Sequence, residues 1–153
     1  MKIGFDFHGI LDKEPKFFSK VTRKLIDKGH EVHILTGQED GYHLRRTLAD
    51  LKINYTHLFS ITSFHKKIGT KVTYDENGNP WMDTELWNKT KAEYCKTHNI
   101  DIHIDDSDTY GKYFETTYLK LERINGTLYF LPVVLKLFSK VFKLWLDPQK
   151  EKI

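Results

Sequence analysis

Short apolar segments typical of strands alternate along this chain with segments whose apolar residues recur at helical spacing. The strand-like segments are KIGFDF at 2–7, EVHIL at 31–35, HLFSI at 57–61, DIHI at 101–104 and one near 118–121. Such alternation is typical of βαβ units, in which helices cross over between parallel strands. The sequence therefore predicts an α/β fold, a Rossmann-like parallel sheet with flanking helices.

Helical patterns occupy the connections between these strands. Pro15 opens the first predicted helix and Gly29 ends it. Apolar spacing predicts further helices around 44–51, from about 87 to 98 and from about 132 to 146, with a short one after residue 104. The last of the long helices is basic and amphipathic, and we expect it to pack on the sheet or on a partner subunit rather than on a membrane.

Residues 62–83 break this rhythm. The stretch KVTYDENGNPWM at 71–82 has apolar flanks around an Asn77-Gly78 turn, which predicts a β-hairpin. The basic run at 65–67 beside it is interpreted as a solvated loop, and an Asn-Gly turn at 125–126 as a second hairpin. The insertion has the size of a small flap, so we expect a single domain over residues 1–153.

Composition excludes several classes of protein. The formal net charge is only +3, so net charge alone gives no strong argument for nucleic-acid binding, and local basic patches remain open. The single cysteine, Cys95, cannot staple the fold and is interpreted as a buried structural thiol in a reducing compartment. The first apolar run reaches Asp6 almost at once, so it is neither a signal peptide nor a membrane span. We therefore expect a cytoplasmic protein.

Polar residues stand where three of the predicted strands end, and these are the candidate site residues. They are Asp6 with His8, Thr36 with Gly37, and Asp105 with Asp106. The carboxyl ends of parallel strands share one edge of a sheet, where α/β proteins bind their ligands. A buried apolar strand has no structural reason to end in a carboxylate followed by an imidazole. The sequence therefore places a candidate site at this edge.

The adjacent acids Asp105 and Asp106 indicate a cation. Two neighbouring carboxylates repel one another, and a bound cation offsets that repulsion. Oxygen donors without a His/Cys cluster favour Mg²⁺ over Zn²⁺. Lys89 and Lys91 lie near the start of the preceding helix, and either could neutralise a phosphate.

In this order the elements resemble the four motifs of the haloacid-dehalogenase-like superfamily. Asp6-Phe7-His8-Gly9-Ile10 is similar to the DxDGT/V motif of that family, and Thr36 to its second motif. Lys91 (or Lys89) is similar to the third motif, and Asp105-Asp106 to the fourth. The resemblance spans residues 1 to about 121 and implies a capless phosphatase of the nucleotidase-like branch.

The resemblance also implies the chemistry. Asp6 would attack phosphorus and form an aspartyl-phosphate that water hydrolyses. Mg²⁺ would bind Asp6, the backbone carbonyl of His8 and Asp106, with Asp105 as a further or outer ligand. An anionic nucleophile meets an anionic phosphate only if cations cancel their repulsion.

The substrate side follows from the same resemblance. Thr36 and Gly37 would bind the phosphoryl oxygens, and Lys91 would stabilise their charge. The expected substrate is a small phosphomonoester, with a nucleotide-like one as first choice, and the end of a nucleic acid remains open because no cap covers the site. A homo-oligomer is also left open. Four aromatic residues nearby are interpreted as core or flap residues: Trp81, Trp87, Tyr110 and Tyr113.

One residue departs from the family pattern. Family phosphatases usually carry a second aspartate two residues after the nucleophile, where it protonates the leaving group and then activates water. This chain has His8 there. An imidazole can serve as acid and base, which predicts an active enzyme; the alternative is a catalytically weak phospholigand-binding or regulatory module.

Overall fold

The computed structural model describes residues 1–124 and 127–130, with side chains through residue 122. In chain order the elements are β1 (Lys2–Asp6), α1 (Pro15–Asp27), β2 (Glu31–Thr36), α2 (Tyr42–Asp50), β3 (His57–Ser60), α3 (Ile61–Lys67), β4 (Thr73–Tyr74), β5 (Pro80–Trp81), α4 (Thr84–Thr97), β6 (Ile102–Asp105), α5 (Asp108–Gly111), β7 (Thr117–Ile124) and β8 (Thr127–Phe130). A π-type turn, Phe7–Leu11, follows β1. The Asn-Gly turn expected at 125–126 and the helix expected at 132–146 lie outside the described residues.

The predicted α/β fold is confirmed. Five strands run parallel in the order β3-β2-β1-β6-β7, and β8 pairs antiparallel with β7 at the edge. Strands covered on both faces read as continuous apolar runs, and β2 is buried from Val32 to Thr36 for this reason. The Asn77-Gly78 hairpin is confirmed as the antiparallel pair β4–β5.

The helix boundaries follow the expected signals. Pro15 occupies the first position of α1, and Gly29 lies just beyond its end with a φ of +77°. That left-handed conformation favours glycine. No helix among residues 1–124 and 127–130 combines the length and the apolar character needed to cross a bilayer.

The interpretation of residues 65–67 as a solvated loop was wrong. They form the end of α3, which Ser60 caps by accepting a hydrogen bond from the Ser63 backbone N–H. His65 is buried, and its Nε2 lies 2.8 Å from the Thr90 hydroxyl of α4. The segment was missed because seven residues are too few to establish a helical period.

The order of the strands creates a crevice beside β1. The chain first builds outward from β1 through β2 to β3, and then crosses back to lay β6 on the other side of β1. Ligands of open α/β sheets bind outside the carboxyl ends of the strands at such a reversal. The ends of β1 and β6 therefore meet where a site is expected.

Candidate functional site

Residues that are remote in sequence converge at the carboxyl ends of β1 and β6. Asp6 ends β1, Asp105 ends β6, Asp106 follows it directly, and Lys91 reaches in from α4. All four line one cavity of about 330 Å³. This volume lies at the small end of the range of ligand pockets and is suited to a compact ligand.

Lys91 bridges the two buried acids. Its Nζ donates to Asp6 Oδ1 and to Asp105 Oδ2, each at 2.7 Å. Only 4% of the Lys91 side chain is exposed. The Lys89 side chain is 42% exposed and pairs with Glu85 on the helix surface. The structure therefore places Lys91, and not Lys89, against the acids.

Asp105 has several hydrogen-bonding partners. Besides Lys91, it accepts a hydrogen bond from the Ser107 backbone N–H at 3.0 Å, and its Oδ2 lies 3.2 Å from His103 Nε2. Burial alone would raise the pKa of Asp105. The contacts with His103 and Lys91 outweigh that effect and leave its pKa below the usual range. Asp105 is therefore a permanent anion of the site.

Asp6 has a different electrostatic environment. Burial raises the pKa of Asp6 above its usual value, and the nearby charge of Asp105 adds to that increase, although Lys91 opposes it. Among the described residues that line the cavity, Lys91 is the only lysine or arginine. The raised pKa of Asp6 thus reflects its burial first and the neighbouring negative charge second, which Lys91 offsets only in part.

The carboxylates of Asp6, Asp105 and Asp106 form a donor set that fits Mg²⁺. One oxygen from each lies within 4.8 Å of the others. These are hard oxygen donors, the type that Mg²⁺ prefers. Because the acids outnumber the lysine by two charges, a divalent cation would balance the site.

Gly9 is a site residue for a reason that the sequence alone does not reveal. Its φ is +83°, and its backbone N–H donates to Asp12 Oδ1 at 2.8 Å. A Cβ at this position would lie 2.0 Å from Asp106 Oδ2. Only glycine lets the Asp106 carboxylate lie directly against the turn after β1.

We predict that Gly9→Ala weakens Mg²⁺ binding by displacing Asp106, and that it also destabilises the fold by about 1–3 kcal/mol through backbone strain. The control is Gly29→Ala, because Gly29 has a similar φ of +77° but nothing within 4 Å of an added Cβ. It should lose stability without losing Mg²⁺ affinity. Thermal melts and Mg²⁺ titrations measure the two effects, and equal Mg²⁺ affinity in both variants would contradict the assignment.

Thr36 and Gly37 lie beside the cavity in different ways. Thr36 is completely buried and accepts a hydrogen bond from the Gln38 N–H at 3.1 Å, and it is not among the residues that line the cavity. Gly37 does line it, and its carbonyl accepts from the Thr62 hydroxyl at 2.5 Å. Phosphate binding by Thr36 and Gly37 stays a prediction.

The residues at the junction of β3 and α3 that hold this loop were missed by sequence reasoning. Besides the contact from Thr62, the Ser60 hydroxyl donates to the Gln38 carbonyl at 2.7 Å, and the Ser63 hydroxyl accepts from the Asp40 N–H at 2.8 Å. The run of small hydroxyl residues after β3 was the available signal. These contacts fix the path of the chain beyond Thr36.

His8 lines the cavity with an exposed imidazole. Its ring contacts the edge of Phe7, with the centroids 4.8 Å apart. Partial burial lowers the pKa of His8, and the charge of Asp12 opposes that shift. His8 thus lines the same cavity as the acids and can contact a ligand bound there. Because its pKa is lowered, its imidazole is mainly neutral at any pH above the ordinary pKa of histidine.

Trp87 and Tyr110 form an aromatic wall of the cavity, which corrects their interpretation as core or flap residues. Trp87 Nε1 donates to the Tyr110 hydroxyl at 3.3 Å, and the Tyr110 ring centre lies 4.9 Å from Lys91 Nζ. By contrast, none of the β4–β5 hairpin residues is among the described residues that line the cavity. The predicted flap is present but does not contribute side chains to the site.

No protein-family model matches this sequence. No curated protein sequence matches it at a significant level.

Proposed function

We propose that this chain is a Mg²⁺-dependent phosphomonoester hydrolase of the haloacid-dehalogenase-like superfamily, with Asp6 as its nucleophile. The observation that carries the proposal is the Asp6–Lys91–Asp105 contact at the switch point of the sheet, with Asp106 alongside. It combines a buried carboxylate, a fixed cation and oxygen donors in one small cavity. A cytoplasmic location belongs to the same proposal, supported by the buried free thiol of Cys95.

The residues of the site suit a two-step displacement. Lys91 holds Asp6 Oδ1, so the other oxygen, Oδ2, attacks phosphorus while the bond from phosphorus to the leaving oxygen breaks. The leaving oxygen takes a proton from an acid. Water then attacks the phosphorus of the aspartyl-phosphate, inorganic phosphate departs, and the Asp6 carboxylate is restored.

Charge balance explains the need for two kinds of cation. Lys91 offsets the charge of Asp6 and of a transferring phosphoryl group, in a site where burial strengthens electrostatic interactions. Asp6, Asp106 and the backbone carbonyl of His8 would hold Mg²⁺, with Asp105 as an outer ligand. When bound there, the ion would supply the remaining positive charge next to the phosphate.

We predict that Asp106→Ala weakens Mg²⁺ binding more than Asp105→Ala does. The order follows from the resemblance, in which the second acid of the pair binds the metal directly. Asp106 is also the exposed acid of the donor set, and Asp105 is buried against Lys91, Ser107 and His103. Asp105→Ala should instead destabilise the fold by about 3–5 kcal/mol, because it removes one partner of a buried ion pair. Mg²⁺ titration and denaturant unfolding separate the two, and activity that survives EDTA in the wild type would contradict a metal role.

His8 is the proposed acid, and its environment predicts a pH optimum on the acidic side of neutrality. The imidazole can donate only while protonated, and its pKa is lowered by burial from about 6.5. The protonated fraction therefore falls as the pH rises through that lowered value. Alkyl phosphates, whose leaving groups need the proton, should show this profile more strongly than aryl phosphates.

Variants at residue 8 test the same role. His8→Ala should slow alkyl phosphates by about 10²–10⁴-fold and aryl phosphates much less, and His8→Asp should restore the alkyl rate. Equally slow turnover of both substrates by the wild type and His8→Ala, with a much faster His8→Asp, would favour the second candidate function. That candidate is a phospholigand-binding module, and the presence of His8 where the family has aspartate is the observation in its favour.

A phosphate-release screen with Mg²⁺ tests the function as a whole. The panel contains sugar phosphates, nucleotides, and oligonucleotides phosphorylated at the 5′ or 3′ end. A cavity of about 330 Å³ beside the aromatic pair Trp87 and Tyr110 favours a small, nucleotide-like phosphomonoester. Light scattering on the same sample measures the oligomeric state. It shows whether a protein selective for small substrates is an oligomer, in which a second subunit could cover the site. Release from no member of the panel would count against an enzyme.

A further inference from the structure

A second group of metal-ligating side chains lies at the opposite end of the sheet. Glu31 and His33 stand two residues apart on β2 and share one face, and His57 is the direct partner of His33 on β3. One ligand atom from each lies within 4.8 Å of the others. The mechanism above uses none of these three residues.

From this cluster we propose a second, transition-metal site of the zinc type, in which Glu31, His33 and His57 are the protein ligands. The site goes beyond the proposed phosphatase activity and does not depend on it. Two imidazoles and one carboxylate form a ligand set typical of Zn²⁺ with one open position. The mixed nitrogen and oxygen donors differ from the carboxylates around Asp6, so the two sites favour different ions.

The distances in the cluster are close to those of a zinc site. With bonds of about 2.0–2.1 Å, the ligand atoms of a tetrahedral ion lie roughly 3.3 Å apart. His33 Nε2 lies 3.2 Å from Glu31 Oε2, and His57 Nδ1 lies 3.9 Å from the same oxygen. The first distance is already close to the tetrahedral value, whereas His57 must move for its nitrogen to bind the same ion.

His33 is the fixed ligand of the three. Its side chain is 1% exposed, and its Nδ1 lies 2.9 Å from the Tyr94 hydroxyl of α4. In the tautomer whose Nδ1–H donates a hydrogen bond to the Tyr94 hydroxyl, the lone pair of Nε2 faces the Glu31 carboxylate. A hydrogen bond from the second ring nitrogen is the usual way in which proteins orient a metal-binding imidazole. Glu31 Oε2 also lies 3.5 Å from Lys2 Nζ, so an ion bound at this oxygen would displace the exposed ammonium.

His57 and Glu31 are the adjustable ligands, with side chains 49% and 39% exposed. The rings of His33 and His57 are now stacked, with centroids 4.2 Å apart and planes 8° apart. Parallel rings cannot both direct a nitrogen at one ion, so the His57 ring must tilt and exchange its contact with the Thr56 hydroxyl at 2.9 Å. Its exposure permits that movement and leaves a side open for the ion and a water molecule.

An ion at this position would join β2 to β3. Both strands contribute ligands, and β3 is an edge strand of the sheet among the described residues. A ligand that binds only the folded state raises stability with the logarithm of its free concentration relative to Kd. Zn²⁺ should therefore raise the melting temperature through this site.

The test is a Zn²⁺ titration of the full chain in excess Mg²⁺, with a chromogenic chelator as competitor and elemental analysis for stoichiometry. The wild type should bind one Zn²⁺ in this way and melt at a higher temperature with it. His57→Ala and Glu31→Gln should each weaken binding by at least about tenfold and lose the thermal shift. Both residues are partly exposed, so these variants should fold.

Two controls make the result specific. His43→Ala removes an exposed histidine outside the cluster and should bind Zn²⁺ as the wild type does. Asp106→Ala weakens the acidic site and should also leave Zn²⁺ binding unchanged. Absence of Zn²⁺ binding, unchanged affinity in His57→Ala and Glu31→Gln, or loss of Zn²⁺ in Asp106→Ala would each overturn the proposal. None of these outcomes bears on phosphate release, so the proposed zinc site and the proposed phosphatase function can be refuted independently of one another.

Discussion

Asp6→Asn should lower kcat by a factor on the order of 10⁴–10⁶, the scale seen when a nucleophile is removed. The amide keeps the shape of the carboxylate but has neither its charge nor its nucleophilicity. The fold should survive, because Lys91 retains Asp105 as an anionic partner at 2.7 Å. Beryllofluoride, which mimics an aspartyl-phosphate, should bind the wild type with Mg²⁺ and fail to bind the variant.

The matched control for this prediction is Asp50→Asn. Asp50 is 62% exposed and pairs with Arg46 on the surface of α2, so its neutralisation should change kcat little. Phosphate release and thermal melts are measured for both variants. Wild-type turnover by Asp6→Asn would show that Asp6 is not the nucleophile.

Lys91→Met should remove most of the activity and destabilise the fold by about 3–5 kcal/mol. The replacement has a similar length but leaves Asp6 and Asp105 buried and facing one another without a cation. The pKa of Asp6, already raised by burial, should then rise further above its value in the unfolded chain, whereas His103 and the Ser107 N–H still hold Asp105. A carboxyl group whose pKa is raised by folding stabilises the folded state at acidic pH. That contribution is lost as the pH rises from about 4, the pKa in the unfolded chain, through the raised pKa of the folded state. The variant should therefore be less destabilised at acidic pH than at pH 8.

Lys89→Met is the control on the same helix. Its ammonium pairs with Glu85 at the surface, and such pairs contribute about 0–1 kcal/mol. Denaturant unfolding in EDTA at several pH values compares the two variants. If both variants lose the same stability, or if the cost of Lys91→Met does not change with pH, then the buried ion pair is not what Lys91 supplies.

The strands and the polar residues at their ends were predictable because both signals are local. An apolar run that stops at Asp6, Thr36 or Asp105 identifies a strand and its carboxyl end together. The choice between Lys89 and Lys91 was also within reach. The buried residues Ala92 and Cys95 set the phase of α4, and Lys91 lies four residues before Cys95 on the same side.

Other features depend on contacts between distant segments, which local patterns in a single sequence do not predict. The close approach of Gly9 to Asp106 requires the pairing of β1 with β6. The Glu31, His33 and His57 cluster requires the register of β2 against β3. Alternation along β2 puts Glu31 and His33 on one face, but only the register brings His57 to them.

The most direct test of the central claim is a search for the covalent intermediate on Asp6. The protein is mixed with a substrate from the phosphate-release screen and Mg²⁺, quenched in acid within a turnover, and digested for mass spectrometry. The account predicts a phosphorylated peptide containing Asp6, which borohydride reduces to homoserine at that position and which is absent from Asp6→Asn. Steady release of phosphate by the wild type, with no phosphoryl group on Asp6 at any time of quenching, would contradict it.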